Sequence, residues 1–376
     1  MSLDNKKIAL VHYWLTGMRG GEKVVESICD LFPDMDIFTL VYDKRKIAES
    51  INQHKVFTSF IQKLPFARKK YQTYLPLMPI AIEQFNLSGY DIIISSESGI
   101  AKGVLTKPET CHFCYCHTPM RYLWNMYFDY LKNENIGFLK RKIIEIFFNY
   151  LRVWDLATAS RVDYFISNSN NVRKRILKYY RRDSEVIYPP VDVEGMVFEA
   201  KKQDYYLVVS QLVSYKRIDL AIRAFNELKK ELIIIGEGQE YRKLKKIANS
   251  NIKFLGWQSQ ENLRQYYANA KAFIFPGEED FGITPVEAQA SGTPVIGFGR
   301  GGLLETVIEG KTGLFFYKQD YKELTSVIES FESNTNKFDC YTIRENSLKF
   351  SRGRFENDLV KFIEEKYQEY CKTYLE

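Results

Sequence analysis

Two carboxylates, Glu279 and Glu287, with seven residues between them, are the groups in this sequence best suited to hold hydroxyls. The first falls in an acidic loop, Glu278-Glu279-Asp280. The second falls in a helix that the sequence opens near Pro285, where a missing N–H is no loss because a first turn has no partner for it. One acid can therefore enter a crevice from a loop while the other reaches it from a helix. The helix start around Gly282, Ile283 and Thr284 and the turn Gly299-Arg300-Gly301-Gly302 both offer backbone N–H groups to an anion. Hydroxyl-binding acids beside an anion cradle suit a sugar joined to a nucleoside diphosphate. A solvated loop acid followed by a helix-capping acid would give the same spacing, and spacing alone leaves both readings open.

The elements that must position these groups surround them. Residues 272–275 are a short apolar run closed by Pro276-Gly277, which reads as a buried strand. The helix ends near Ser291-Gly292, where glycine takes a left-handed cap, and residues 294–297 read as the next strand. Strand, loop, helix, strand and Gly-rich turn form a βαβ unit, and open parallel sheets bind ligands at the carboxyl ends of their strands. Further strands are expected at 7–15, 36–41, 91–95, 110–116 and 164–167, and then at 204–210, 232–235 and 252–255. Between these sets, Tyr188-Pro189-Pro190 marks a boundary. A chain of 376 residues exceeds one ordinary core. We therefore expect an α/β protein with a first domain at 1–189, a second at 190–354 and a terminal helix at 355–376. Beyond Gly313 only supporting helices are expected.

Other positions could carry chemistry. Gly20 and Gly21 lie in a turn between the first strand and a helix expected at 24–31, a natural anion site or merely a tight turn. His117 follows a strand's carboxyl end and Arg121 lies four residues on. Lys216 and Arg217 sit in a strand-to-helix loop, positioned to neutralise a diphosphate. Cys111, Cys114 and Cys116 invite a zinc reading, but no second ligand cluster accompanies them and their alternation suits a strand of buried thiols, so no metal is expected. The first turn, GMRGGEK, does not fit the GxGxxG of a dinucleotide-binding enzyme. A net charge of +6 is compatible with a nucleotide or an anionic membrane and too weak to argue for nucleic acid. Residues 137–156 form an amphipathic helix with Lys140, Arg141 and Lys142, either packed on a sheet or touching a membrane surface. The amino-terminal sequence lacks a secretory pattern and no stretch reaches spanning length, so a cytoplasmic location is expected.

EEDFGITPVEAQASGTPVI followed by GRGGLLETV resembles the donor-site signature of retaining glycosyltransferases of family 4, which have the GT-B fold of two Rossmann-like domains facing across a cleft. CHTPMRYLW resembles a segment of a subgroup that includes O-antigen mannosyltransferases, and the likeness extends over essentially the whole chain. The resemblance implies that Glu279, with backbone at Phe281, Gly282 and Ile283, contacts the donor sugar and that Glu287 holds the ribose hydroxyls. It sets His117 beside the donor sugar and Lys216 and Arg217 against the diphosphate. Gly20, Gly21, Gly301 and Gly302 would lie near the phosphates, Trp257 near the base, and Arg121 near an acceptor phosphate. GDP-mannose is the implied donor, with a UDP-sugar as the alternative, and the implied acceptor is a surface-polysaccharide or polyprenyl-diphosphate-linked glycan. No cofactor is implied. The chain departs from the family pattern at Gln211, where the family carries Arg. A fold that binds nucleotide sugar without turnover is the rival reading this departure supports.

Overall fold

Short apolar runs rich in Ile, Val and Leu form thirteen strands among the described residues, in a computed structural model that describes residues 3, 5–132 and 137–375. Contacts divide the chain into two units, Met1–Tyr188 with Phe355–Glu376, and Pro189–Arg354.

The first unit holds seven parallel strands: β1 (Ile8–His12), β2 (Asp36–Thr39), β3 (Val56–Thr58), β4 (Ile92–Glu97), β5 (Cys111–Cys116), β6 (Tyr164–Ser167) and β7 (Glu185–Val186). Their order is β3-β2-β1-β4-β5-β6-β7. β1, β4 and β5 are buried at every position, as expected of strands covered on both faces. On one face Leu10, Ile94, Phe113 and Tyr115 pack against the helices Gly20–Leu31 and Arg352–Tyr374, the latter through Phe355, Leu359 and Ile363. On the other, Val11 and Ile93 pack against Met78 and Ile82 of helix Met78–Glu83 and against Phe148 and Leu151 of helix Phe138–Thr158.

The second unit holds six parallel strands: β8 (Tyr206–Val209), β9 (Leu232–Ile235), β10 (Ile252–Gly256), β11 (Ala272–Phe275), β12 (Val295–Phe298) and β13 (Gly313–Phe316), in the order β10-β9-β8-β11-β12-β13. Each order reverses once, at β1/β4 and at β8/β11, so both sheets are doubly wound and each has one switch point where a crevice opens.

Three expectations are corrected. Residues 313–316 are not helical support but the edge strand β13, paired in register with β12. Strand β3 was likewise hidden, because three residues give too few repeats for a period to show. The first helix begins at Gly20 rather than near residue 24, because Glu22 accepts the Arg19 N–H at 3.0 Å and closes the first turn. Cys111 faces one side of its strand and Cys114 and Cys116 the other, so the three thiols do not converge. Of the basic residues in the expected helix at 137–156, the side chain of Lys140 lies outside the described residues.

Candidate functional site

The loops leaving β8 and β11 meet at the second sheet's switch point. After β8 the chain makes a short turn, Ser214–Lys216, and Arg217 follows in the left-handed region at φ 53°. After β11, Pro276-Gly277 lets the chain pass so close to this turn that a Cβ on Gly277 would lie 2.9 Å from the Lys216 Cα. The Lys216 ammonium thereby forms an ion pair with Glu279, both side chains about four-fifths enclosed at 18% and 20% exposure. Arg217 is engaged elsewhere. It donates to Asp219 at 3.1 Å and to Gln319 at 3.0 Å, so Lys216 is the cation that faces the acid loop. Gln211, at the other end of the same loop, is exposed.

The helix Ile283–Ala290 starts on Gly282, left-handed at φ 93°, which turns its first N–H groups toward the loop. Glu287 lies just beyond that first turn. Its carboxylate accepts the hydroxyl of the fully buried Tyr267 at 3.0 Å, which fixes the acid's direction. Phe281 is buried edge-on against Phe350, with ring centres 5.5 Å apart. Trp257 follows the left-handed Gly256 and is 73% exposed, so no packing fixes its ring.

The Gly-rich turn differs from the open cradle expected of it. Gly299 N–H donates to Phe316, Arg300 N–H to Phe298, and Gly302 N–H to the carbonyl of Glu279 at 2.9 Å. A Cβ on Gly301, at φ 67°, would lie 2.3 Å from the Glu279 carbonyl oxygen, and one on Gly302 would lie 2.4 Å from that of Asp280. Gly301 and Gly302 let the acid loop approach closely, and the Gly302 N–H is spent on it.

At the first sheet's switch point a different chemistry gathers. His12 ends β1 and pairs in register with Ser96 near the end of β4. Ser96 Oγ lies 3.0 Å from His12 Nδ1 and 2.8 Å from Nε2 of His117, which follows β5. His12 Nε2 faces Glu22 at 3.9 Å. Ser96 has one proton, so it accepts from one ring and donates to the other. The Glu22 carboxylate favours a proton on His12 Nε2. His12 Nδ1 then accepts from Ser96, and Ser96 accepts from His117 Nε2–H, which leaves the lone pair of His117 on Nδ1. Burial, reinforced by His12, pushes the His117 pKa down to about 3, so the ring works as a neutral hydrogen-bonding group.

Gly21 closes over this chain. A Cβ there would lie 2.8 Å from the Tyr13 hydroxyl and 3.5 Å from His117 Nε2. Gly20 begins the same helix. Arg121 is half-buried in the turn after His117, whereas Arg175 reaches that loop directly, donating to Thr118 Oγ1 at 3.1 Å. His12, Ser96, Glu22, Arg175 and Tyr267 escaped the sequence reading. The available signal was polar residues ending otherwise apolar strands, as in DIIISSE.

Comparison with known proteins agrees with this division. Glycosyltransferase Family 4 matches residues 18–194, and the family described as glycosyl transferases group 1 matches residues 196–346. Alpha-1,3/1,6-mannosyltransferase alg2 of Schizosaccharomyces pombe is 23% identical over 415 residues, covering 94% of this chain and 79% of that protein. The O-antigen chain mannosyltransferase RfbU of Salmonella typhimurium is 27% identical over 210 residues, and the match spans 52% of this chain and 59% of RfbU. Among solved structures, Anabaena Alr3699/HepE in complex with UDP and glucose aligns with a TM-score of 0.68 at 17% identity, over 96% of this chain and 100% of the other. At that identity the likeness is one of fold, and the fold is the expected GT-B. The chain belongs to the glycosyltransferases, with a family 4 region followed by a group 1 region.

Proposed function

We propose that the protein is a retaining glycosyltransferase that moves mannose from GDP-mannose to a surface-polysaccharide or lipid-linked glycan, without metal ion or cofactor, in the cytoplasm at the inner face of the cell membrane. The observation that carries this reading is the Lys216–Glu279 ion pair at the β8/β11 switch point, with Glu287 anchored by Tyr267 beside it. Similarity to alg2 and RfbU supports mannose as the sugar.

In this reading Glu279 and the backbone from Phe281 to Ile283 orient the sugar hydroxyls, and Glu287 holds the ribose. Lys216 exchanges part of its pairing with Glu279 for the arriving diphosphate, so its charge is already in place when the bond breaks. The bond between the sugar's anomeric carbon and the phosphate oxygen breaks, with both electrons leaving on the nucleoside diphosphate. The acceptor oxygen bonds to that carbon from the same face, and its proton passes to the departing phosphate. Glu279 and Glu287 serve in positioning and form no glycosidase-type pair. His117, neutral, bonds to the sugar, and Arg121 to an acceptor phosphate. Gly20 and Gly21 border the diphosphate, and Trp257 the base.

A UDP-sugar is the second reading, because ribose and diphosphate are common to both donors and HepE was solved with UDP. Thermal unfolding with GDP and with UDP separates the two, since a ligand bound only by the folded state raises the midpoint. We expect a shift with GDP alone. Transfer from GDP-mannose should persist in EDTA and give the α-anomer by NMR, because the donor is α-linked. A shift with UDP alone replaces the donor. If a nucleotide binds and no sugar is transferred, the catalytic reading is wrong and the Gln211 departure gains weight.

A further inference from the structure

Between β5 and the helix Tyr127–Lys132, residues 117–126 belong to no strand or helix. They carry His117 and Arg121, so the place of this loop decides what those two side chains meet. Its internal bonds are local turns: Leu123 N–H donates to the Met120 carbonyl at 3.0 Å and Met126 N–H to that of Arg121 at 2.8 Å. Such turns set the loop's shape and leave its place on the sheet to other contacts.

Two anchors set that place, and one buried cluster of charges joins them. At the near end the His117 N–H donates at 2.7 Å to the carbonyl of Glu97, the last residue of β4. The Glu97 side chain accepts the Lys102 N–H on Oε2 at 2.9 Å, and its Oε1 lies 3.9 Å from the Lys102 ammonium. That ammonium forms an ion pair with Asp155 of the helix Phe138–Thr158, and all three side chains are fully buried. At the far end Trp124 Nε1–H donates to Asp155 Oδ2 at 2.8 Å, a charge-assisted bond. The indole is stacked on Tyr179 with ring centres 4.7 Å apart. Tyr180, which ends the same helix Asn170–Tyr180, donates its hydroxyl to Asp155 Oδ2 at 3.0 Å.

A buried ion pair returns little net stability, because desolvation offsets the attraction between its charges. Burial works against the Lys102 charge, yet Asp155 and Glu97 outweigh it and hold the pKa above its ordinary value. What the pair supplies is direction: with Oδ1 held by Lys102, the carboxylate presents Oδ2 to Trp124 in one orientation.

We propose that Asp155 is a positioning residue for the sugar-facing loop, fixing residues 117–126 through Trp124 at one end while Glu97 fixes them at His117. The inference rests on the reading of His117 as a partner of the donor sugar.

The test compares three variants of the full chain with the wild type by hydrogen exchange and by calorimetric titration with GDP and with GDP-mannose. Trp124→Phe keeps a ring on Tyr179 and removes only the N–H, so Asp155 stays paired with Lys102 and Tyr180. Residues 117–126 should then exchange about fivefold faster, the worth of one hydrogen bond, with β1, β4 and the second unit unchanged. GDP affinity should be unaltered, and GDP-mannose affinity should fall by about fivefold. Tyr180→Phe removes a bond to the same carboxylate and touches no residue of the loop. It should leave both the loop's exchange and the GDP-mannose to GDP affinity ratio as in wild type. Unchanged exchange of residues 117–126 in Trp124→Phe, or equal loosening in Tyr180→Phe, overturns the proposal. His117→Ala separates its failure from that of the underlying reading. A ratio that His117→Ala leaves unchanged removes the sugar from His117 and overturns that reading. A ratio that His117→Ala lowers and Trp124→Phe does not overturns the positioning role of Asp155.

Discussion

The two units share one strand order and place polar groups at the same switch point, but they fill it with opposite chemistry. The first unit gathers a hydrogen-bonded chain, Ser96 between His12 and His117, with Gly21 packed close over it. The second gathers charges, Lys216 against Glu279, with glycines bracing the acid loop from behind. All four histidines of the chain lie in the first unit and none in the second. A doubly wound sheet therefore dictates where a site forms and leaves its chemistry to the residues that end the strands.

The comparison is tested hardest at the charged end. Glu279→Gln should lower turnover by about 100-fold, the scale set by lost positioning, with the thermal midpoint unchanged. Lys216→Ala should do likewise, and because Glu279 holds the sugar while Lys216 meets the diphosphate, the double variant should lose clearly more than either single one. A double variant no worse than either would show that the two residues act only as a pair, and full activity in Glu279→Gln would remove the assignment.

Gly301→Ala asks whether the glycines brace the loop. The residue is left-handed and its Cβ would press on the Glu279 carbonyl, so the second unit should lose about 1–3 kcal/mol. Turnover should fall in the fraction that remains folded. A variant as stable and active as wild type would contradict the close-approach role.

In the first unit, Ser96→Ala removes the link that sets the His117 tautomer. The expected loss in turnover is about fivefold to tenfold, the worth of roughly one buried hydrogen bond. Ser96→Thr should restore most of it, and the nucleotide-induced thermal shift should be unaffected. If Ala and Thr lose activity equally, the hydroxyl is not what matters.

The last expected effect concerns acid. His112 is fully buried between Ser95 Oγ at 2.8 Å and the Arg161 carbonyl at 3.1 Å, and burial holds its pKa down to about 4. Its folded value lies below the unfolded value of about 6.5, so the unfolded chain binds the extra proton first. The stability that neutral His112 contributes is present above pH 6.5 and is lost as pH falls toward 4, at up to about 1.4 kcal/mol per pH unit. The depressed value of His117 acts in the same direction. Hydrogen exchange of the wild type and of His112→Gln at pH 7 and pH 5 should therefore show first-unit protection falling further in the wild type, since buried Glu97, raised to about 7, opposes the histidines equally in both proteins. Equal loss in both would place the acid-sensitive groups elsewhere.

Much of the second unit's site was legible because its determinants are local. Pro276-Gly277, the acid loop, Gly282 and Glu287 lie within a dozen residues, and each residue type names its own backbone requirement. The same motif misled where close packing mattered. The Gly299–Gly302 turn reads as open N–H groups, and only the fold shows that the N–H groups of Gly299, Arg300 and Gly302 meet the carbonyls of Phe316, Phe298 and Glu279. The first unit's chain was largely illegible, because its members stand 84 and 21 residues apart and meet only across paired strands.

By itself the sequence determined the strands and helices long enough to show a period, the two-unit α/β architecture and the residues of the acid loop, since these follow from short-range patterning and backbone restriction. The tertiary structure alone decided that Lys216 rather than Arg217 faces Glu279, that Tyr267 aims Glu287, and that His117 is held neutral by burial beside His12. Those outcomes depend on distances between segments remote in the chain and on burial, neither of which is written in any local stretch.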